Sequence, residues 1–352
     1  MKKIIAIGHK FYLENPSLLR INWISTMSCN YRCPYCYINI TPDKYNNNSS
    51  LKYKDSNLTI NKVNNLINNI ILNYHDKKEL DMTISGGEPT EITILFDIVT
   101  MLINKIKNLK NLRIHTNFSK DINYWKKIVD IFKNNKTINF SIEASLHLDY
   151  INTKEKLYDY LNKLLFLRSN NILVDSWTMI NKINKNKAIE YSKIINEKIP
   201  NLTKFRLVHD LNTGKPFLNY SEIENIELEK EKNKNTFIIY ENNELEFKTQ
   251  NEILSNSENT YKGMLCLRGI NQIKIENSGL VSYSEYDSLC DNYYKERVNF
   301  FEENCFLKKC QPTICKRKFC VQPGDMHILK ADLDYYKKFI ANNYRHIYVN
   351  KN

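Results

Sequence analysis

Three cysteines near the start of this 352-residue chain are the residues best suited to chemistry. Cys29, Cys33 and Cys36 are spaced Cys-x-x-x-Cys-x-x-Cys, and Tyr35 directly precedes the last of them. Three thiolates on so short a segment can bind three irons of a [4Fe–4S] cubane, which leaves the fourth iron without a protein ligand. A metal that keeps one coordination position free can bind another molecule, so we expect a reactive cluster at this loop.

Two simpler interpretations of the same cysteines are a structural zinc site and three unrelated thiols. Zinc sites are normally closed by four ligands, often arranged as two close pairs. No fourth Cys or His lies near this loop in the sequence, since His9 is 20 residues upstream of Cys29. The spacing therefore favours the iron–sulfur cluster over zinc.

Two further motifs directly follow apolar runs that predict strands. Residues 86–89 read Gly-Gly-Glu-Pro and come after the run 82–84, while Thr116-Asn117 ends the run that starts at Arg113. Taken alone, Gly-Gly-Glu is an ordinary turn and Thr-Asn is a common helix cap. Their positions after the cysteine loop make them informative.

The cysteine loop and these two motifs together resemble the radical S-adenosylmethionine (radical SAM) superfamily. The resemblance implies that S-adenosylmethionine chelates the open iron, and that one electron from the cluster cleaves its sulfonium to release a 5′-deoxyadenosyl radical. It implies that the glycine backbone approaches the methionine amino group, where no side chain is in the way, and that the Thr-Asn segment lies near the ribose and carboxylate. The cofactor-binding residues implied are Tyr35, Gly86, Gly87, Glu88, Thr116, Asn117, Ser141 and Met179.

Later strands carry further candidates for the same site. Residues 140–147 include Glu143 and end at His147, and they resemble radical SAM proteins in which a Ser and a His close this strand beside the cofactor. We expect Glu143 and His147 to bind S-adenosylmethionine or substrate, or to act as acid or base. The alternatives are a strand-end cap for Glu143 and a solvated loop position for His147. Arg206 and His209 on the sixth strand are further candidates for the same pocket, with a position away from the site as the alternative.

The order of the elements predicts an α/β fold. Apolar runs typical of strands occupy 19–26, 81–85, 112–117, 138–145, 172–180 and 204–210. Amphipathic stretches typical of helices occupy 60–74, 91–108, 123–134, 154–169 and 185–197. This alternation predicts crossover units and a parallel sheet, and it matches the partial (β/α)6 TIM-like barrel that the resemblance implies. Both motifs then lie at the carboxyl ends of strands, where parallel α/β folds place their ligands.

A cysteine-rich region follows residue 262. Six of the nine cysteines lie from 266 to 320, and such density in a cytosolic protein argues for metal. A hairpin with its turn at 277–279 follows the first of them, and this order resembles the twitch (one extra cluster) and SPASM (two) extensions of radical SAM enzymes. The match is imperfect, because Ser284 stands where those families usually have Cys and the last four cysteines lack Cys-x2-Cys. We expect one auxiliary [4Fe–4S] cluster, with zinc or no metal as alternatives; its candidate ligands are Cys266, Cys305, Cys310, Cys315 and Cys320, and Cys290 is unassigned.

These patterns divide the chain into four parts. The expected limits are 1–210 for the radical SAM core, 211–262 for a linker or insertion with a hairpin at 237–247, 263–325 for a small Cys-rich α+β extension with the auxiliary cluster, and 326–352 for a C-terminal helix and tail.

Composition restricts the partners. The net charge is +12, yet Lys, Asn, Ile and Tyr are abundant throughout and no dense basic run interleaved with aromatic residues stands out, so we expect no nucleic-acid partner. An anionic substrate or an acidic redox partner is a plausible use of the charge. No apolar run is long enough to span a membrane, and residues 4–8 are too short a run for a signal peptide and read as a short strand. The many cysteines suggest metal or redox chemistry in a reducing compartment, so we expect a cytoplasmic location.

The function expected is that of a radical SAM enzyme. The 5′-deoxyadenosyl radical would abstract hydrogen from an unactivated C–H bond of a peptide or a small, sugar-like molecule, with a flavodoxin- or ferredoxin-like protein as electron donor. The alternative is a non-catalytic iron–sulfur or zinc protein that acts as a sensor or scaffold. The Gly-Gly-Glu-Pro motif disfavours this alternative, because a scaffold has no need of a methionine-binding turn.

Overall fold

The chain alternates strands and helices up to residue 208 and is built mostly of strands beyond it. The computed structural model describes residues 2–15, 18–36, 58–76, 79–133, 135, 137–208, 234–256, 258–282, 298–307, 312–315, 320 and 328–340. The strands are β1 (Ile4–His9), β2 (Leu19–Thr26), β3 (Leu80–Gly86), β4 (Leu109–Thr116), β5 (Asn139–Leu146), β6 (Leu173–Ile180), β7 (Thr203–Leu207), β8 (Thr236–Tyr240), β9 (Leu245–Lys248), β10 (Leu265–Cys266), β11 (Gln272–Ile275), β12 (Val281–Ser282), β13 (Thr313–Ile314) and β14 (Lys330–Ala331). The helices are α1 (Phe11–Glu14), α2 (Ile60–Tyr74), α3 (Leu95–Lys105), α4 (Ile122–Lys133), α5 (Lys154–Ser169), α6 (Lys185–Lys198), α7 (Gln250–Ser255) and α8 (Leu333–Tyr335).

The main sheet has the strand order β12-β11-β2-β3-β4-β5-β6-β7. Its seven strands from β11 to β7 are parallel, and helices α2 to α6 form the crossovers between β2 and β7. The predicted α/β class and the predicted strand–helix alternation are therefore confirmed. A parallel sheet of this kind is consistent with the partial barrel of a radical SAM protein.

The two faces of the main sheet differ in chemistry. On one face, alternate residues such as Trp23, Ile84, Ile114 and Ile142 are buried with the apolar side chains of the helices. Burial of each such side chain contributes about 1.5–3 kcal/mol, so this interface supplies most of the stability. The opposite face is polar and partly exposed, and we call its side chains in β4 to β7 the open face. These include Arg113, His115, Ser141, Glu143, Ser145, Asp175, Trp177, Met179, Lys204 and Arg206.

A second sheet joins the two ends of the chain. Its strand order is β13-β10-β14-β1-β8-β9, and β1 pairs antiparallel with both β8 and β14. The expected short strand at 4–8 and the expected hairpin at 237–247 are confirmed as β1 and as the pair β8–β9. The pairing of β1 crosses the expected limit at residue 210, and the domain limits stay a prediction.

The hairpin around residues 277–279 has an unexpected partner. Strands β11 and β12 pair antiparallel as predicted, and Gly279 in the turn has a φ of 85°, which favours glycine. Strand β11 also pairs in parallel with β2, where Ile273 lies opposite Ile21. The C-terminal region therefore extends the main sheet beside the strand that leads into the cysteine loop.

One side of helix α2 binds the backbone of residues 300–307. Asn65, Asn69 and Asn73 follow one another at intervals of four residues, so they lie on one side of the helix. Their side-chain amides donate to the carbonyl oxygens of Phe301, Phe300, Glu302 and Cys305, and their oxygens accept from the amides of Cys305 and Leu307. We call these three residues the asparagine ladder.

No helix within the described ranges is long and apolar enough to cross a membrane.

Candidate active site

The cysteine loop, residues 27–36, leaves the carboxyl end of β2. The amide of Tyr31 donates to Cys29 Sγ at 3.3 Å, and the amide of Cys36 donates to the carbonyl oxygen of Cys33 at 3.0 Å. Cys33 is buried, whereas Cys29 and Cys36 are half-buried. Local backbone bonds thus hold the three thiols on one short turn at the edge of the sheet.

The glycine motif packs directly against the backbone of this loop. The amide of Gly87 donates to the carbonyl oxygen of Thr26, and the amide of Glu88 donates to that of Ser28, both at 2.7 Å. A β-carbon on Gly86 would lie 2.1 Å from the Thr26 oxygen, and one on Gly87 would lie 2.0 Å from the Ser28 oxygen. The sequence suggested that these glycines leave room for a ligand. The structure gives them a further use, which is to let the cysteine loop approach β3; their role towards a ligand stays a prediction.

Glu88 connects the ends of β3 and β4 from inside the protein. Its side chain is fully buried. Oε1 accepts from the amide and hydroxyl of Thr90 and from Thr116 Oγ1, and Oε2 accepts from the amide of Asn117 at 2.5 Å. Burial raises the pKa of Glu88, although these donors act against the rise. Since both oxygens have partners within the protein, the geometry gives Glu88 a positioning role.

Asn117 carries this network to the cysteine loop. Its Nδ2 donates to Asn30 Oδ1 at 2.7 Å and lies 3.8 Å from Cys29 Sγ. Asn30 in turn donates to the hydroxyl of Ser119 at 2.9 Å. The Thr-Asn motif is therefore in contact with the cysteine loop.

A buried lysine, which the sequence did not single out, supports the same segment. Phe118 has a φ of 59°, an unusual left-handed conformation for a bulky residue. Lys163 Nζ donates to the carbonyl oxygens of Phe118 at 3.0 Å and of Lys120 at 3.2 Å, and it pairs with Asp159 at 2.8 Å. Strained backbone of this kind persists where surrounding contacts hold it, and Lys163 is such a contact.

His147 contacts the cysteine loop. Its Nδ1 lies 2.9 Å from the hydroxyl of Tyr35 and 3.4 Å from Cys33 Sγ. Burial lowers the pKa of His147 to about 4, so the ring is neutral at pH 7. These contacts favour the expected site position over a solvated loop position, and they place Tyr35 beside His147.

Glu143 is paired with two side chains of the neighbouring strand. Arg113 Nε lies 3.1 Å from Oε1, and His115 Nε2 lies 2.8 Å from Oε2. Burial acts to raise the pKa of Glu143, but His115 and Arg113 hold it well below its usual range. Glu143 is therefore a carboxylate at neutral pH and a poor proton donor. His115 was not among the predicted site residues, although its alternation with Arg113 along β4 was a signal that both face the same way.

The remaining barrel candidates lie on the open face. Ser141 is opposite Arg113 in the sheet register, and Met179 is opposite Arg206. Within the described residues, neither Ser141 nor Met179 is hydrogen-bonded to the cysteine loop. His209 lies outside the described residues.

Three C-terminal cysteines lie in or beside the segment 259–266, which leads into β10. Cys266 is in β10, and the amide of Cys315 donates to Met264 in the adjoining segment. Cys320 is held by Asn259, which donates to the Cys320 carbonyl oxygen at 2.9 Å. Cys315 and Cys320 both pack against one apolar cluster of the second sheet. This region is the one where an auxiliary metal site was expected.

Cys305 lies in a different environment. Its Sγ donates to the carbonyl oxygen of Asn299 at 3.0 Å, and its backbone is held by the asparagine ladder against helix α2. It packs against the core between the main sheet and its helices. The described contacts thus give no support for grouping Cys305 with the other three. Cys310, Cys290 and Ser284 lie outside the described residues.

The donor set of the cysteine loop fits an iron–sulfur cluster. Three thiols, which are soft ligands, lie on one turn, and the amide of Tyr31 and Nδ2 of Asn117 both point at Cys29 Sγ. Such hydrogen bonds to sulfur are a feature of cluster sites. Burial raises the pKa of Cys33 to about 12 and also raises that of Cys29, so a metal's charge is needed to keep these thiols ionised. Among the described side chains, no three of His, Cys, Asp or Glu are grouped around a point that one metal ion could occupy.

Comparison with known proteins supports one family. No curated protein matches the sequence. A solved structure described as native anSMEcpe with bound AdoMet (S-adenosylmethionine) is similar at 14% identity and a TM-score of 0.49, covering 82% of this chain and 81% of that one. BtrN in complex with AdoMet and 2-DOIA is similar at 12% identity and a TM-score of 0.36, covering 76% and 73%. Residues 23–195, slightly less than half of the chain, match the family model described as the Radical SAM superfamily. This match supports a radical SAM domain over these residues, for which a [4Fe–4S] cluster and AdoMet are implied.

Proposed function

We propose that this chain is a radical SAM enzyme that abstracts hydrogen from an unactivated C–H bond of a peptide or a small, sugar-like substrate. The observation that carries the proposal is the contact of three sequence motifs at one edge of the sheet. The glycine motif and the Thr-Asn motif both bind the cysteine loop, the first through the amides of Gly87 and Glu88 and the second through Asn117.

Cys29, Cys33 and Cys36 would hold the [4Fe–4S] cluster. When bound, this cluster with AdoMet supplies a single electron for cleavage of the sulfonium bond and hence a 5′-deoxyadenosyl radical. The residues of the chain keep the loop in one geometry: Glu88 fixes the ends of β3 and β4, and Asn117 donates towards Cys29. The neutral His147 and Tyr35 cover Cys33 from the side of β5.

The open face is the candidate substrate surface. It lies opposite the helix-covered face, and its polar groups end at the same edge as the cysteine loop. Ion pairs such as Arg113–Glu143 and Lys204–Asp175 hold its side chains in fixed positions. Fixed charged groups of this kind orient a substrate without the cost of ordering them during the reaction.

The remaining assignments also form part of the proposal. One auxiliary [4Fe–4S] cluster would lie near Cys266, Cys315 and Cys320, and a flavodoxin- or ferredoxin-like protein would supply electrons. The seven described cysteines form no disulfide with one another. A cytoplasmic location, where thiols stay reduced, is also proposed. The four sequence limits given above remain the proposed domain boundaries.

The test is production of 5′-deoxyadenosine. Protein reconstituted anaerobically with iron and sulfide, then given dithionite and AdoMet, should form this product. Replacement of Cys29, Cys33 and Cys36 by Ala should abolish it. The control is Cys305→Ala, because the Cys305 thiol lies outside the cysteine loop and donates a hydrogen bond to the carbonyl oxygen of Asn299. This change should leave the cleavage of AdoMet unchanged.

The same measurement decides between an enzyme and a non-catalytic protein. If the wild-type chain binds about four irons at the cysteine loop and AdoMet, yet forms no 5′-deoxyadenosine, it is a sensor or scaffold and the proposal is wrong.

A further inference from the structure

The open face carries one cation whose charge no carboxylate balances within the described residues. Arg113 pairs with Glu143, which His115 also contacts, and Lys204 Nζ pairs with Asp175 Oδ2 at 2.8 Å. Arg206 forms no ion pair with any described residue. Three permanent cations thus face two carboxylates, which leaves one positive charge near the carboxyl edge of β7.

Arg206 is held in place by an aromatic ring. Its guanidinium carbon lies 4.6 Å from the centre of the Trp177 ring, and Lys204 Nζ lies 5.3 Å from the same ring. A guanidinium over an indole gains cation–π attraction and keeps its N–H groups available at the edge of its plane. The Trp177 Nε1 is buried and has no hydrogen-bond partner among the described residues. The stacking on Trp177 orients the Arg206 guanidinium without a ligand.

The position of this pair suits a substrate group. Met179 lies opposite Arg206 in the register and Trp177 opposite Lys204, one layer further from the edge. Arg206 is also close enough to Glu143 to help lower the pKa of that carboxyl. The unbalanced charge therefore lies on the surface where the proposed function puts the substrate.

We propose that Arg206, stacked on Trp177, binds a carboxylate group of the substrate. This inference rests on the proposed function only in that the ligand is called a substrate. Binding of a carboxylate by Arg206 can be measured without turnover. A planar guanidinium matches a carboxylate through two parallel hydrogen bonds. A single unbalanced charge matches a monoanion better than a phosphate dianion. The substrate class is accordingly a carboxylate-bearing small molecule or a peptide with a carboxylate near the reacting carbon.

Tryptophan fluorescence offers a direct test with two ligands that differ only in charge. Trp23 and Trp125 are fully buried, whereas Trp177 is partly exposed, so Trp177 reports on this surface. Reconstituted full-length protein is titrated with N-acetylglycine, a monoanion, and with N-acetylglycinamide, its neutral counterpart. N-acetylglycine should give a saturable change with a dissociation constant on the order of 1–10 mM, as expected for so small a ligand. The amide should give none, and Trp177→Phe should remove the signal.

Variants assign the effect to Arg206. Arg206→Gln should weaken N-acetylglycine binding by about tenfold or more, since hydrogen bonds between charged groups are lost. Lys126→Gln removes an exposed charge on helix α4 and should change nothing. If Arg206→Gln does not fold, judged by circular dichroism, Arg206→Lys keeps the charge without the planar fork and should still weaken binding severalfold.

Three outcomes overturn the inference. The first is equal binding of N-acetylglycine and its amide, or no binding of either. The second is tighter, Arg206-dependent binding of inorganic phosphate, which would make this a phosphate site. The third is loss of AdoMet affinity in Arg206→Gln to the same extent, which would assign Arg206 to the AdoMet carboxylate. Failure of the wild-type protein to cleave AdoMet would overturn the proposed function and leave the carboxylate site standing.

Discussion

Gly87 and Ser28 are in such close contact that a β-carbon on residue 87 would lie 2.0 Å from the Ser28 carbonyl oxygen. Real side chains do not tolerate that distance, so even the smallest substitution must displace the backbone that leads into the cysteine loop. The glycine motif thus acts on the cysteines through the chain itself, before any ligand is considered.

Gly87→Ala should therefore impair assembly of the barrel cluster. We expect the reconstituted variant to lose about four irons relative to the wild type and to form 5′-deoxyadenosine at least about tenfold more slowly, the equivalent of about 1.4 kcal/mol. The control is Lys126→Gln, an exposed change on helix α4 away from both groups of cysteines, which should keep the wild-type iron content. Wild-type iron content in Gly87→Ala would contradict the contact described.

Glu88→Gln should destabilise the fold although it preserves the shape of the side chain. An amide nitrogen in place of one oxygen would face a donor from Thr90, Thr116 or Asn117, and a buried unsatisfied donor costs about 1–3 kcal/mol. Urea denaturation measures this loss of unfolding free energy. Glu91→Gln is the control, since it breaks only a half-exposed pair with Lys120 and should cost less than about 1 kcal/mol. Equal effects of the two changes would refute the positioning role of Glu88.

The Glu143 pair predicts a dependence of stability on acid. The pKa of Glu143 is depressed in the folded protein, so the unfolded chain binds the proton more readily. Its contribution to stability is complete above the ordinary value of about 4.5 and is lost as the pH falls below it towards the folded pKa. Denaturation of the wild type and of Glu143→Gln, followed from about pH 6 to about pH 3, should give stability curves that converge as the pH falls. Parallel curves would show that the pair with His115 and Arg113 is not formed.

Asn69→Ala should loosen residues 300–307 from helix α2. Asn69 is buried and makes three hydrogen bonds with that segment, so its removal leaves two carbonyl oxygens and one amide without these partners. We expect a loss of about 1–3 kcal/mol and faster hydrogen exchange at the Cys305 amide. The adjacent Asn68 is exposed on the same helix, and Asn68→Ala should have almost no effect. Unchanged exchange at Cys305 in Asn69→Ala would rule out the ladder.

The C-terminal cysteines are tested by iron content. With one auxiliary cluster the wild type should bind about eight irons, and replacement of Cys266, Cys315 and Cys320 by Ala should reduce this to about four. Cys305→Ala should keep about eight, because its thiol lies in a different apolar cluster from Cys315 and Cys320. About four irons in the wild type, with zinc at the C-terminal end, would mean that the auxiliary cluster is absent.

The sequence predicted best what depends on local pattern. Helices α2 and α5 were predicted at 60–74 and 154–169, the bounds observed, because apolar residues recur at helical spacing in both. The structure adds that Thr59 and Thr153 cap their N-termini. The expected helix at 91–108 begins only at Leu95, since Pro89–Glu91 forms a separate turn capped by Glu88. The spacing of apolar residues does not show whether such residues join the helix or form a separate turn before it.

Contacts between distant segments were less predictable. The pairing of Ile273 with Ile21 cannot be predicted from the residues of either strand, because any short apolar strand can pair at a sheet edge. The contacts of Glu88 with Thr116 and Asn117 were equally unpredictable, although these residues belong to two motifs identified in the sequence. The role of Lys163 could not be predicted from the sequence, since a buried lysine is rare. Its partners are backbone carbonyl oxygens, which do not depend on residue type.

The asparagine ladder has a consequence for how this protein can change its sequence. The three amides recognise peptide groups, which every residue possesses, and they recognise them at fixed intervals along α2. The ladder itself therefore does not select the side chains between 300 and 307, although Phe300 is fully buried and Phe301, Cys305 and Leu307 pack against the core. Insertion or deletion of a single residue would move Cys305 to a different place. The hydrogen bonds from helix α2 thus restrict the length of the segment, while the core contacts of Phe300 and Leu307 restrict which residues are accepted there.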